Sequence, residues 1–157
     1  MKAEEKYKIV EKYYGGNKKH ILDIGCKDGS FLICAKENGW EITVGLEPKK
    51  ELYKKAIIML PECYHGRFPD AELSFEKYNV ITCWDILNKI KDPVSFIKKV
   101  RSLMFDNSMF FLKVLKSKNK KFEYIYSKEG LMLLFSKAKL RYKIVEEEKG
   151  LIIIGEK

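Results

Sequence analysis

Apolar positions along this chain recur with two periods, and the periods alternate. Residues 3–14 carry Tyr7, Val10, Tyr13 and Tyr14 at helical spacing, and Gly15-Gly16-Asn17 ends the run. Residues 20–24 are a short apolar stretch suited to a buried strand. A glycine-containing turn leads to a helix over 30–38, with Ser30 expected as its N-cap and Gly39 as its stop. Residues 41–46 read as a second strand and 49–59 as a helix entered through Pro48. Residues 62–65 suggest a short third strand, followed by an irregular loop through Pro69. A fourth strand is expected over 79–84, then an amphipathic helix over 92–104 capped by Asp92, with Pro93 at its first position. Its apolar face is Val94, Ile97, Val100, Leu103 and Met104. Residues 108–115 form a fifth strand; Ser127 caps a helix that turns Leu131, Leu134, Phe135 and Ala138 inward. Two strands, 141–147 and 151–155, close the chain.

Strands separated by helices pair in parallel through right-handed crossovers. The last two strands are joined by too few residues for a crossover, so they form an antiparallel hairpin. The expected fold is α/β: a doubly wound, mainly parallel seven-stranded sheet with a reversed terminal strand, in a single domain spanning 1–157.

Ligands of such sheets bind beyond the carboxyl ends of the strands, where the winding reverses. The first such end reads Asp23-Ile24-Gly25-Cys26-Lys27-Asp28-Gly29-Ser30. Gly25 and Gly29 permit a tight turn and close backbone approach, and the N–H groups entering the next helix suit an anion. Glu47 ends the second strand, where a carboxylate can accept hydrogen bonds from both ribose hydroxyls of an adenosine ligand. A structural βα turn and a solvent-facing acid would each look similar alone. The two in this order on adjacent strands say more.

From these residues the chain resembles the class I S-adenosylmethionine (SAM)-dependent methyltransferases, in particular those acting on quinones and small molecules. Residues 21–32 resemble the family's glycine-rich motif, 44–48 its second-strand acid, 65–69 the loop beside the adenine, and 78–87 with Lys91-Asp92-Pro93 its fourth-strand motif. Residues 126–131 resemble its late helix. The resemblance implies SAM as cofactor. It implies that the backbone of Gly25, Cys26, Lys27 and Gly29 cradles the methionine end, and that Asp23 orients this loop or reaches the ammonium through a water. It further implies that Glu47 holds the ribose, Phe68 and Pro48 flank the adenine, and Trp84 and Asp85 line the donor pocket. The N-terminal helix, residues 1–16, would cover part of that pocket.

Several positions depart from the family pattern. Lys27 stands where glycine is usual, and fits if its φ is negative and its side chain points outward. Arg67 replaces an acid beside the adenine amino group. Asn88-Lys89 replaces Glu-His, and Asp106-Asn107-Ser108 replaces Pro-Gly-Gly. The expected activity is methyl transfer by in-line displacement, with positioning as the protein's main task. The alternative is a catalytically inactive SAM-binding module. A nucleotide-dependent oxidoreductase shares the second-strand acid but needs a G-x-G-x-x-G turn that residues 25–30 lack. No residue declares itself as general base.

Charge changes this picture slightly. The net charge is +9, carried almost wholly by lysine, a bias that thermophilic composition also produces. Lys113, Lys116, Lys118, Lys120 and Lys121 crowd the end of the fifth strand, followed by Phe122, Tyr124 and Tyr126, and could draw in an anionic acceptor. Nucleic acid is the less favoured class. The four cysteines form no C-x-x-C pair, and Cys63 with His65 is too few ligands for a metal, so no metal site is expected. No apolar run reaches the roughly 18 residues a membrane span needs, and the N-terminus has no secretory h-region. A cytoplasmic location without membrane association is the expectation.

Overall fold

The computed structural model describes residues 1–115, 126–147 and 150–157. Its seven strands are β1 (His20–Ile24), β2 (Ile42–Glu47), β3 (Cys63–His65), β4 (Tyr78–Trp84), β5 (Met104–Leu115), β6 (Arg141–Glu147) and β7 (Gly150–Glu156). They form one sheet in the order β3-β2-β1-β4-β5-β7-β6. Pairings from β3 through β5 are parallel, whereas β7 runs antiparallel to both neighbours. The reversed strand is last in sequence but sits inside the sheet, between β5 and the edge strand β6. The winding reverses between β1 and β4, so the ligand-binding edge lies at their carboxyl ends.

Helices α1 (Ala3–Tyr13), α2 (Ser30–Glu37) and α3 (Lys50–Met59) contribute to the core on one face; α4 (Pro93–Ser102) and α5 (Lys128–Lys137) cover the other. Alternation along the strands assigns each side chain to a layer. Leu22 and Ile24, Ile81 and Cys83, and Phe110, Leu112 and Val114 pack toward α4 and α5. Ile21, Val80, Trp84 and Phe111 pack toward α1 and α2. By the same alternation Asp23, Thr82 and Lys113 belong to the α1–α2 face. A strand buried on both faces thus still delivers polar residues to one side of the ligand edge.

The caps explain where the helices begin. Asp92 accepts the N–H of Ser95 ahead of Pro93, and Ser127 accepts that of Gly130, as the sequence predicts. Ser30 differs from expectation: the N-cap is Gly29 in the left-handed region, and Asp28 Oδ1 accepts the Ser30 N–H at 3.2 Å. Met104 also moves out of the helix into β5, which starts four residues earlier than its apolar run suggests. A register shift between Tyr78 and Val80 accommodates the polar stretch Asp106-Asn107, and Asn107 adopts φ +64°. Asn tolerates that region better than most residues.

Candidate cofactor site

The β1–α2 loop is built on left-handed turns. Gly25, Lys27 and Gly29 have φ of +80°, +58° and +81°. A Cβ on Gly25 would press on Ile86 at 3.2 Å, and one on Gly29 would collide with Leu60. The N–H groups of Gly25 and Cys26 both donate to the Leu46 carbonyl, at 2.7 and 3.1 Å, tying the loop to β2. Lys27 therefore does not have the negative φ expected of it. The left-handed turn aims its N–H at Glu47 Oε2, 2.9 Å away, while its side chain stands exposed.

Glu47 is 3% exposed at the end of β2. Its Oε1 accepts the N–H of Lys49 at 2.9 Å, so each oxygen is held by one backbone donor. A carboxylate has about four acceptor positions, which leaves room for two hydroxyl donors. Histidine also has a structural task here: a ring nitrogen of His65 lies 3.1 Å from the Pro48 carbonyl, and the ring tilts against Tyr53.

A cavity of about 340 Å³ opens beside this carboxylate, with Gly25, Lys27, Glu47, Pro48, Phe68 and Ile86 among its walls. Phe68 is braced edge-on by Phe96, with ring centroids 5.0 Å apart. Arg67 and Lys89, two of the departing residues, also line it. Its size and largely apolar walls suit a nucleoside.

The other site residues named from sequence lie outside this cavity. Gly29 packs beneath Leu60, and Cys26 points its thiol at Cys63, 3.8 Å away, where that hydrogen bond and burial push the Cys26 thiol up. Asp23, Trp84 and Asp85 lie toward the α1–α2 face. Asp23 is 1% exposed and accepts a 2.7 Å bond from Thr82 Oγ1; burial raises its carboxyl to about 6, against the opposing pull of Lys6 and Thr82. Trp84 is buried edge-on to Phe31 at 5.7 Å. Asp85 has φ +62°, its N–H donates to the Lys113 carbonyl, and Oδ1 lies 4.0 Å from the buried Lys113 ammonium. It does not cap the 3-10 turn at Leu87–Lys89, whose N-cap is Ile86.

Sequence reasoning missed Lys6, Lys49, Ile86 and Phe96. Lys49 acts through its backbone, which no side-chain motif reveals, and Ile86 and Phe96 read as ordinary core residues. Lys6 reads as a solvated helix lysine, yet its ammonium sits over the rings of Trp84 and Phe31, at 5.6 and 5.9 Å. Of the basic stretch, Lys113 is buried in β5; Lys116, Lys118, Lys120, Lys121, Phe122 and Tyr124 lie outside the described residues.

A methyltransferase-domain family model matches residues 6–141, which span every element from α1 to the start of β6. The chain belongs to the methyltransferase-domain family. It is a class I methyltransferase in fold, and its cofactor is SAM. A structure of a candidate SAM-dependent methyltransferase from Listeria monocytogenes superposes with a TM-score of 0.81 at 16% identity, covering 99% of this chain and 97% of that one. Among curated proteins, a tRNA U34 carboxymethyltransferase of Sulfurimonas denitrificans is 25% identical over 60% of this chain and 34% of its own length. A ubiquinone biosynthesis O-methyltransferase of Histophilus somni is 28% identical over 66% of this chain and 48% of its own. The methyltransferase chain thus spans between a third and a half of the curated relatives it matches.

The residues present fit SAM. The Gly25 cradle would be closed by a Cβ, the buried Glu47 carboxylate keeps acceptor positions for two hydroxyls, and the cavity admits a nucleoside base. Lys27 does not disturb the cradle, because it contributes a backbone donor.

Proposed function

We propose that this chain binds SAM across the carboxyl ends of β1, β2 and β4 and transfers its methyl group to an anionic acceptor. The observation that carries the reading is Glu47: a buried carboxylate fixed by two backbone donors, beside a cavity, with acceptor positions to spare. When bound, SAM supplies an electrophilic methyl on a sulfonium, so catalysis is chiefly alignment. Glu47 holds the ribose, while Phe68 and Pro48 close on the adenine. Asp23 sets the glycine loop from beneath and supplies negative charge at the ammonium end.

The acceptor meets the methyl over the ends of β4 and β5. There Asp85 Oδ1 has no hydrogen-bond partner among the described residues and lies 4.0 Å from the Lys113 ammonium, and Asp85 is the group assigned to meet an acceptor hydroxyl or amine. The Lys113 ammonium beside it is paired with Asp85; the preference for an anionic acceptor is supported by the net charge of +9. The Histophilus somni relative, named as an O-methyltransferase, supports a small hydroxylated acceptor. The tRNA-directed relative supports RNA instead, so the assay includes both.

The test is to incubate the protein with methyl-labelled SAM and separate small-molecule and RNA fractions of a cell extract. Label in a small acidic acceptor, absent with Glu47→Ala, is the expected result. Binding of the demethylated product S-adenosylhomocysteine (SAH) with no label in any fraction would instead identify a non-catalytic module.

A further inference from the structure

The methionine end of SAM carries three charges: a sulfonium, an α-ammonium and an α-carboxylate. The protein's own groups around Asp23, both carboxylates and lysines, have to answer all three. Asp23 lies toward this face, and Asp28 caps the entry to α2. These suit the two cations. The carboxylate needs a donor or a cation. At the start of α2, where an anion could bind, the Ser30 N–H is already taken by Asp28 Oδ1 at 3.2 Å. A ligand carboxylate arriving there meets another carboxylate.

Two of the neighbouring cations are otherwise placed. Lys113 is paired with Asp85, and the exposed Lys27 lines the nucleoside cavity. Lys6 is different. It is half-buried on α1, one residue before the buried Tyr7 that seats the helix on the core. Its ammonium rests over the Trp84 and Phe31 rings, which themselves meet edge to face. Burial lowers its pKa, while Asp23 and Asp85 pull it back up. No ion pair within 4 Å involves it among the described residues, so this ammonium is desolvated without a direct carboxylate partner.

We infer that Lys6 is the residue that binds the SAM carboxylate, making α1 part of the cofactor site. This rests on the placement of the methionine end at Asp23 proposed above. Lys6 then distinguishes ligands that carry the amino-acid tail from those that do not.

The test pairs variants with ligands in isothermal titration. Lys6→Met keeps the stem over Trp84 and removes the charge; Lys6→Arg keeps the charge. SAH carries the tail, and 5′-methylthioadenosine shares the nucleoside but lacks the amino acid. Lys6→Met is expected to weaken SAH about tenfold, the scale of one hydrogen bond to a charged group, and to leave methylthioadenosine within about twofold of wild type. Lys6→Arg recovers most of the SAH affinity. Equal weakening of both ligands would show that Lys6 acts through packing, and unchanged SAH affinity would show no contact; either overturns the inference. If wild type prefers methylthioadenosine to SAH, the tail has no site at Asp23, and the proposed placement fails before Lys6 is tested.

Discussion

Replacing Lys27 by glycine should stabilise the protein and leave the cofactor site intact. Lys27 is held at φ +58°. A left-handed conformation costs an L-residue roughly 1–2 kcal/mol, and glycine avoids that cost. Glycine also brings extra freedom to the unfolded chain, worth about 0.5–1 kcal/mol in the opposite direction. The net expectation is a gain of between about 0 and 1.5 kcal/mol. At about 2.1 cal/mol/K per residue, unfolding a chain of this length has an entropy of about 0.33 kcal/mol/K, so Tm should rise by up to about 4.5 °C. The backbone donor to Glu47 Oε2 survives the change, because it belongs to the peptide and not to the side chain. Scanning calorimetry without ligand and titration with SAH measure the two halves separately. A lower Tm would mean that the lysine side chain makes stabilising contacts outweighing the strain. A tenfold loss of SAH affinity at unchanged Tm would mean that its ammonium reaches the cofactor. Either result refutes the reasoning.

Three further outcomes are expected. Glu47→Ala strands the N–H groups of Lys27 and Lys49 and removes the ribose acceptor, so SAH binding should weaken by at least about 1.5–3 kcal/mol in titration; full affinity in the folded variant would reject the ribose role. Asp23 has a folded pKa raised by burial to about 6, above the roughly 3.9 of an unfolded chain, so its contribution to stability is complete below about pH 4 and is lost as pH rises through 6. The shift corresponds to about 3 kcal/mol, and denaturant unfolding from pH 4 to 8 should show a falling component that Asp23→Asn removes; identical pH profiles would contradict it. Asp85→Asn should lower the rate of labelled methyl transfer more than it weakens SAH, as expected of a group that meets the acceptor; a selective loss of SAH affinity would place Asp85 at the cofactor instead.

Much of this architecture is legible in the sequence because burial and period agree. Strands buried on both faces produce the apolar runs at Ile21–Ile24 and Val80–Cys83, and Asp92-Pro93 and Ser127 announce their helices through local hydrogen bonding. The start of β5 is not legible, because Asp106-Asn107 interrupts its apolar pattern and a register shift absorbs them. The left-handed turns of the β1–α2 loop and the buried acid after β2 are readable from Gly25, Gly29 and Glu47. The loop's exact path is not. Lysine has little preference for the left-handed region, and only the distant Glu47 carboxylate gives Lys27 a reason to adopt it. Lys6 was invisible for a similar reason: its surroundings are Trp84, Phe31 and Asp23, which only the folded sheet brings next to α1.

The most direct test of the central claim is a crystal structure of the protein with SAH bound. Both ribose hydroxyls are expected on the Glu47 carboxylate, the adenine between Pro48 and Phe68, and the amino-acid tail directed past Gly25 toward Asp23 and Lys6. A ribose remote from Glu47, or a tail directed away from Asp23, would contradict it.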